Sequence, residues 1–211
     1  MSAARVGFPV VVAAPSGTGK TTVCRRVVEQ DPDIVFSVSH TTRPIRNGEQ
    51  DGHDYHFVDA DRFVTMDAEG AFLEWAEYNG NRYGTSWASI DAPLGEGHDV
   101  LLEIEVQGAS QVREKREDAR FIFLLPPSLA ELRRRLEGRG TDAPEVIASR
   151  LELARRELED GPRFDYAVVN DDLGACVDTV LEILTAERAG RTAALRAAHA
   201  PEPAVRRLLD A

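Results

Sequence analysis

The segment Ala14-Pro15-Ser16-Gly17-Thr18-Gly19-Lys20-Thr21 places two glycines, a lysine and a hydroxyl at a spacing suited to phosphate. It fits the pattern G-x-x-x-x-G-K-[ST] except that Ala14 stands at the first glycine. Binding in such a loop comes from backbone N–H groups curled round phosphate oxygens at a helix N-terminus. Gly17 and Gly19 let the chain come close, Lys20 would reach the β- and γ-phosphates, and the Thr21 hydroxyl would ligate Mg2+. Of 25 cationic residues only Lys20 and Lys115 are lysine. A chain that otherwise uses arginine has kept a compact point charge inside this loop. The loop implies a nucleoside triphosphate and leaves the second substrate open.

Two other groups could serve the same chemistry. Glu103-Ile104-Glu105 ends an apolar run, and carboxylates two residues apart share one strand face. A strand-end carboxylate suits Mg2+, directly or through water, although a polar edge strand has the same pattern. Arg135, Arg139 and Arg150 lie in an arginine-rich stretch where Gly138 and Gly140 flank Arg139. A hinged segment of that kind could close over phosphates and stabilise a moving phosphoryl group, although a solvated helix laced with charge pairs would look alike. His53 and His56 have metal-like spacing, but in a strand-like segment they would not converge on one ion.

The elements that must hold these groups follow from periodicity. Val10–Val12 predicts a strand, and Val23, Cys24, Val27 and Val28 an amphipathic helix closed by Pro32. Between Ile34 and Ile90 the pattern changes to short strands (Val35–Ser39, Tyr55–Val58, Phe72–Tyr78) and one helix over Asp61–Glu69. Asp59 or Asp61 would cap that helix and Gly70 would stop it. This is a small α+β insertion that does not continue the core. Strand–helix alternation resumes with a strand at Val100–Ile104, a helix at Gln111–Glu117 and a strand at Arg120–Leu125. Ser128 with Glu131 makes a capping box for a helix ending at Gly138. A helix over Pro144–Glu159, a strand at Tyr166–Val169 and a helical stripe at Val177, Val180, Leu181 and Leu184 complete the core. The fold class is α/β: a parallel-sheet core with helices on both faces. From Gly190 onward the chain reads as a helical or frayed tail.

At 211 residues, 43% hydrophobic and 29% charged, the chain can bury a sizeable core. A net charge of −11 argues against a nucleic-acid coat. The apolar runs Phe8–Ala14 and Phe121–Leu125 fall short of the roughly 20 residues of a membrane span, and no signal-peptide pattern is expected. Two cysteines without a CxxC pattern, Cys24 and Cys176, read as buried thiols in a reducing cytoplasm.

The chain resembles the guanylate kinases, P-loop nucleoside monophosphate kinases, from about Phe8 to Arg188. The resemblance rests on separated motifs in family order. They are Pro15–Thr22, Ser37-Val38-Ser39-His40-Thr41-Thr42-Arg43-Pro44, and Gly48-Glu49 with Gly52 and Asp54-Tyr55. Phe72-Leu73-Glu74-Trp75, Gly80-Asn81-Arg82-Tyr83-Gly84-Thr85, Gln107-Gly108, Arg135–Thr141 and Val168–Asp172 follow. The resemblance implies a P-loop core (1–36, 91–134, 156–190), a GMP-binding insertion (37–90) and a mobile lid (135–155), with 191–211 as the tail. It implies transfer of phosphate from Mg2+·ATP to GMP, and to dGMP as well, in purine metabolism.

Carried over by motif, Arg43, Arg46, Tyr55 and Tyr83 would clamp the GMP phosphate. Ser39, Glu74 and Thr85 would read guanine, with Glu105 near the base and Glu103 nearer Mg2+. Both acids are glutamates where the family usually has aspartates. Lys20, Arg135, Arg139 and Arg150 would stabilise the transferring phosphoryl group, and the loop from Ala14 through Thr22, with Asn170, would hold ATP. The expected partners are thus the small molecules ATP and GMP, with no nucleic acid and no membrane. Two alternatives stand beside the enzyme: a catalytically inactive guanylate-kinase-like module that binds proteins, and a related kinase acting on another phosphorylated acceptor.

Overall fold

The computed structural model describes residues 5–78, 80–138 and 144–210. Along the chain run β1 (Pro9–Ala13), α1 (Lys20–Gln30), β2 (Ile34–Phe36), β3 (His40–Thr41), β4 (His56–Phe57), α2 (Ala60–Ala68), β5 (Phe72–Tyr78), β6 (Asn81–Ser86) and α3 (Ala88–Gly95). Then come β7 (Asp99–Glu103), α4 (Val106–Lys115), β8 (Arg120–Leu125), α5 (Leu129–Glu137) and α6 (Pro144–Glu159). A 3-10 turn (Gly161–Arg163), β9 (Tyr166–Val169), α7 (Leu173–Arg188), α8 (Ala193–Ala198) and α9 (Pro201–Leu209) complete the order. Contacts divide the chain into two compact units, Met1–Val11 with Pro32–Arg120 and Val12–Asp31 with Phe121–Ala211.

In the first unit β2 pairs in parallel with β7, Ile34 opposite Asp99 and Phe36 opposite Leu101. Residues 34–36 therefore belong to the parallel sheet, and residues 40–86 lie outside it. There a four-stranded sheet forms in the order β4-β3-β6-β5. Strand β6 has no apolar alternation and was not expected. It forms because β3 and β5 both pair with it antiparallel, Thr41 and Ala76 each opposite Tyr83. Helix α2 covers this sheet by packing Phe63 and Met66 on Phe72 of β5, with the Phe63 and Phe72 rings stacked at 4.5 Å. Asp59 is its N-cap, accepting from Arg62 N at 2.6 Å. Helix α4 begins five residues earlier than expected. Val106, Ala109 and Val112 bury one face of it, which outweighs the poor helix propensity of Gly108 and Ser110.

In the second unit β8 and β9 pair in parallel from Ile122–Tyr166 to Leu125–Val169. Helices α1 and α7 pack together with Cys24 and Cys176 both buried, and burial pushes the Cys176 thiol up to about 11. Ser128 caps α5 by accepting from Glu131 N at 3.0 Å. The Glu131 carboxylate turns to Arg134 and Arg135, so the capping box is half formed.

The tail is helical and docked. Val205 and Leu208 of α9 are buried, and the His199 carbonyl accepts from Ala167 N of β9 at 2.8 Å, covering a sheet edge. Leu208→Ala is expected to lower the unfolding free energy by about 2–3 kcal/mol, read as a shift of the urea midpoint. Among the described residues no helix is long and apolar enough to cross a membrane.

Candidate active site

The glycine-rich loop lies between β1 and α1, in the second unit. Gly17 and Gly19 have φ of 93° and 97°, left-handed conformations that glycine takes without a Cβ penalty. Gly19 is the N-cap of α1, so no side chain caps that helix, and its first turn holds no acid. The N–H groups of a first turn and the helix dipole suit an anion. Lys20 is half-buried there, and Thr21 and Thr22 are exposed. Ala14 and Pro15 are buried below. A Cβ at Gly17 would crowd Leu136 at 2.9 Å and Leu132 at 3.1 Å.

Asn170 and Arg135 stand behind this loop. Asn170 Nδ2 donates to the Thr18 carbonyl at 2.7 Å. Arg135 donates to the same carbonyl at 3.3 Å, to the Asn170 carbonyl at 3.1 Å and to Glu131 Oε1 at 2.8 Å. Hydrogen bonds from Arg134 and Arg135 hold the Glu131 carboxyl down at about 2. Both residues that the motifs assign to the nucleotide thus brace the loop backbone. Arg150 is half-buried on α6, which packs on α5 through Leu132, Leu136, Ala154, Ile147 and Leu151. Arg139 and Gly140 lie outside the described residues.

In the first unit a buried carboxylate sits on β5. Glu74 is 4% exposed. Its Oε1 accepts from Thr85 Oγ1 at 2.6 Å and from Thr85 N at 3.0 Å. Thr85 Oγ1 lies 3.2 Å from Ser39 Oγ, so Ser39, Thr85 and Glu74 form one polar chain. The backbone of Gly108 on α4 closes against it, since a Cβ there would lie 2.3 Å from Glu74 Oε2.

Beside it lies a cationic and aromatic group. Arg43 is 8% exposed and makes a two-point ion pair with Glu49, at 3.0 and 2.8 Å. Its guanidinium stands 5.5 Å from the Tyr55 ring and 5.6 Å from Phe57, and the Tyr55 and Tyr83 rings meet edge-on at 5.9 Å. Glu49 also accepts from Arg46 N at 2.8 Å, while the Arg46 side chain is exposed. The Glu49 hydrogen bond raises the Arg43 pKa above its ordinary value, and Arg43 lowers that of Glu49. Sequence reasoning gave Glu49 no role. The available signal was an acid set three and six residues after two arginines of one proposed clamp.

Strand β7 ends at Glu103, and Glu105 is the N-cap of α4, its side chain making no capping bond. Both acids are half-buried with buried Ile104 between them, which preserves the alternation although the strand has ended. His56 pairs with His40 rather than His53, ring centroids 4.6 Å apart. Burial first, then His56 and Arg62, push His40 down to about 4, so it is neutral at neutral pH.

The family model for guanylate kinase matches residues 7–187, ending before α8. A guanylate kinase of Syntrophotalea carbinolica is 52% identical over 183 residues, 87% of either chain. One from Sphingopyxis alaskensis is 50% identical over 188 residues, 89% of this chain and 86% of that one. Among solved structures, the guanylate kinase of Anaplasma phagocytophilum is similar with a TM-score of 0.72 and 36% identity, over 87% of each chain.

Proposed function

This chain belongs to the guanylate kinase family, and from that premise we propose how its residues divide the work. It is an ATP:GMP phosphotransferase, moving the γ-phosphoryl of ATP to GMP to give ADP and GDP. Family membership and an uncapped, acid-free helix N-terminus behind Gly19 favour this over a protein-binding module.

The observation that carries the assignment of the base is the buried carboxylate of Glu74. Guanine offers N1–H and a 2-amino group on one edge, and a carboxylate fixed by Thr85 can accept from both. Adenine has a bare N1 there and no 2-amino group, so AMP would leave a buried acceptor facing an acceptor, at a cost of about 1–3 kcal/mol. Arg43, Arg46, Tyr55 and Tyr83 hold the GMP phosphate. Glu49 keeps Arg43 aligned until the phosphate arrives.

Across the reaction, charge spreads over the transferred phosphoryl group. Lys20, Arg139, Arg150 and the first-turn amides of α1 meet that charge. Arg135 and Asn170 act through the loop, fixing the Thr18 carbonyl and so the direction of the neighbouring amides. The acceptor phosphate is already anionic at neutral pH, so transfer needs no strong general base. Mg2+ bound with ATP would take one or two hard oxygens from the protein. The exposed Thr21 hydroxyl and the half-buried Glu103 carboxylate are donors of that kind. The ion would supply charge neutralisation on the phosphate oxygens. Residues 37–90 form the GMP-binding part and 135–155 the lid, in a cytoplasmic enzyme.

ADP formation from Mg2+·ATP, measured with GMP, AMP, CMP and UMP in parallel, tests this reading. Wild type should turn over GMP alone. Glu74→Gln turns one acceptor into a donor facing guanine donors, and kcat/KM for GMP should fall about a hundredfold. Equal use of AMP by the wild type, or an unchanged Glu74→Gln, would overturn the assignment of the base reader.

A further inference from the structure

We propose that Lys115 and Gln111 on α4 are positioning residues for guanine selection, acting through the backbone of β5. Among the described residues strand β5 lies at the end of its sheet, with no strand paired along one edge. The pairing also slips there. Phe72 stands opposite Ser86 and Glu74 opposite Thr85, which leaves Leu73 as an extra, bulged residue. A bulge re-aims the side chain that follows it, and the next residue is Glu74.

Helix α4 supplies what the missing strand would. Lys115 Nζ donates to the Leu73 carbonyl at 2.5 Å. Gln111 Nε2 donates to the Trp75 carbonyl at 2.7 Å, and Gln111 Oε1 accepts from Trp75 N at 3.2 Å. Residues 73 and 75 bracket the reader. Gly108, one turn earlier on the same helix face, meets the Glu74 carboxylate itself. Three positions of α4 therefore fix the bulge, the strand beyond it and the carboxylate between. Leu73 is fully buried, so its carbonyl needs a donor, and a thin ammonium enters where a planar guanidinium would crowd. This accounts for the second of the two lysines in a chain of 23 arginines.

The inference rests on Glu74 reading guanine, and the test separates the two. Steady-state kinetics are measured for wild type, Lys115→Met, Gln111→Leu and Glu74→Gln with GMP, and with IMP, which lacks the 2-amino group. Lys115→Met and Gln111→Leu should each raise KM for GMP about tenfold, the effect of a lost buried partner. They should narrow the GMP-over-IMP preference while KM for ATP and kcat stay within about twofold of wild type. Unchanged KM for GMP in both folded variants overturns the proposal. So does a parallel rise in KM for GMP and ATP with the base preference intact, the mark of a general structural role. Should Lys115→Met fail to fold, Gln111→Leu and the shorter Gln111→Asn decide the question by the same readouts. If Glu74→Gln keeps wild-type use of GMP, the base-reader assignment itself has failed, whatever Lys115→Met shows.

Discussion

Replacing Lys20 with Met is expected to lower kcat about a thousandfold, with KM for GMP within a factor of two or three of wild type. Lys20 opens α1 directly after Gly19, whose φ of 97° is left-handed and which gives that helix end no side-chain cap. A full positive charge on a thin stem at that point adds to the partial charge of the helix terminus. Both act most strongly when negative charge is spreading over the transferred group. Removing one preorganised electrostatic partner of this type costs about 10²–10³ in rate. Lys20→Arg keeps the charge and should still lose at least tenfold, because a wide fork must enter a loop with little slack. A Cβ at Gly17 would meet Leu136 at 2.9 Å and Leu132 at 3.1 Å, and one at Gly19 would lie 2.7 Å from Asn170 Nδ2. Single-turnover rates with saturating ATP and GMP separate the chemical step from binding. A kcat near wild type in Lys20→Met would remove Lys20 from the phosphoryl-transfer machinery, and equal activity in Lys20→Arg would show that shape does not matter there.

What could be read from the sequence, and what could not, follows from the range of the forces involved. The phosphate loop was legible because backbone geometry demands glycine at 17 and 19 whatever surrounds them. Strands β5, β8 and β9 and helix α6 coincide with their expected bounds because apolar periodicity and Pro144 act locally. Asp59 and Ser128 announced their helices because a capping side chain bonds only three residues ahead. Strand β6 escaped notice because its polar sequence, Asn81–Ser86, becomes a strand only through its two neighbours. Helix α3 carries Pro93 inside it, which local propensity would reject. The supports of the site were hidden for the same reason. Lys115 meets Leu73 across 42 residues, Arg135 meets Thr18 across 117, and Asn170 meets Thr18 across 152. Motifs marked Arg135 and Asn170 as site residues but not what they brace. Contacts of that kind are set by packing, and packing has no period.

Gly108→Ala should separate stability from function by changing function far more than stability. Gly108 lies inside α4, where alanine is the better helix former by about 1 kcal/mol, so local propensity predicts a protein as stable as wild type or slightly more. The new methyl, however, would lie 2.3 Å from Glu74 Oε2 and 3.1 Å from its Cδ. Helix α4 has little freedom to retreat, being tied to β5 by Gln111 and Lys115 and to the core by Val106, Ala109 and Val112. The carboxylate is the softer partner and must swing. It can do so only by giving up the 2.6 and 3.0 Å bonds to Thr85 that set its direction. Guanine would then meet a misplaced acceptor, and kcat/KM for GMP should fall about a hundredfold, comparable to loss of the carboxylate itself. KM for ATP should not change, since the glycine-rich loop belongs to the other compact unit. Thermal unfolding and steady-state kinetics on the same preparation decide the matter. A Gly108→Ala protein with wild-type use of GMP would show that Glu74 reads the base without the backbone of α4 at its side.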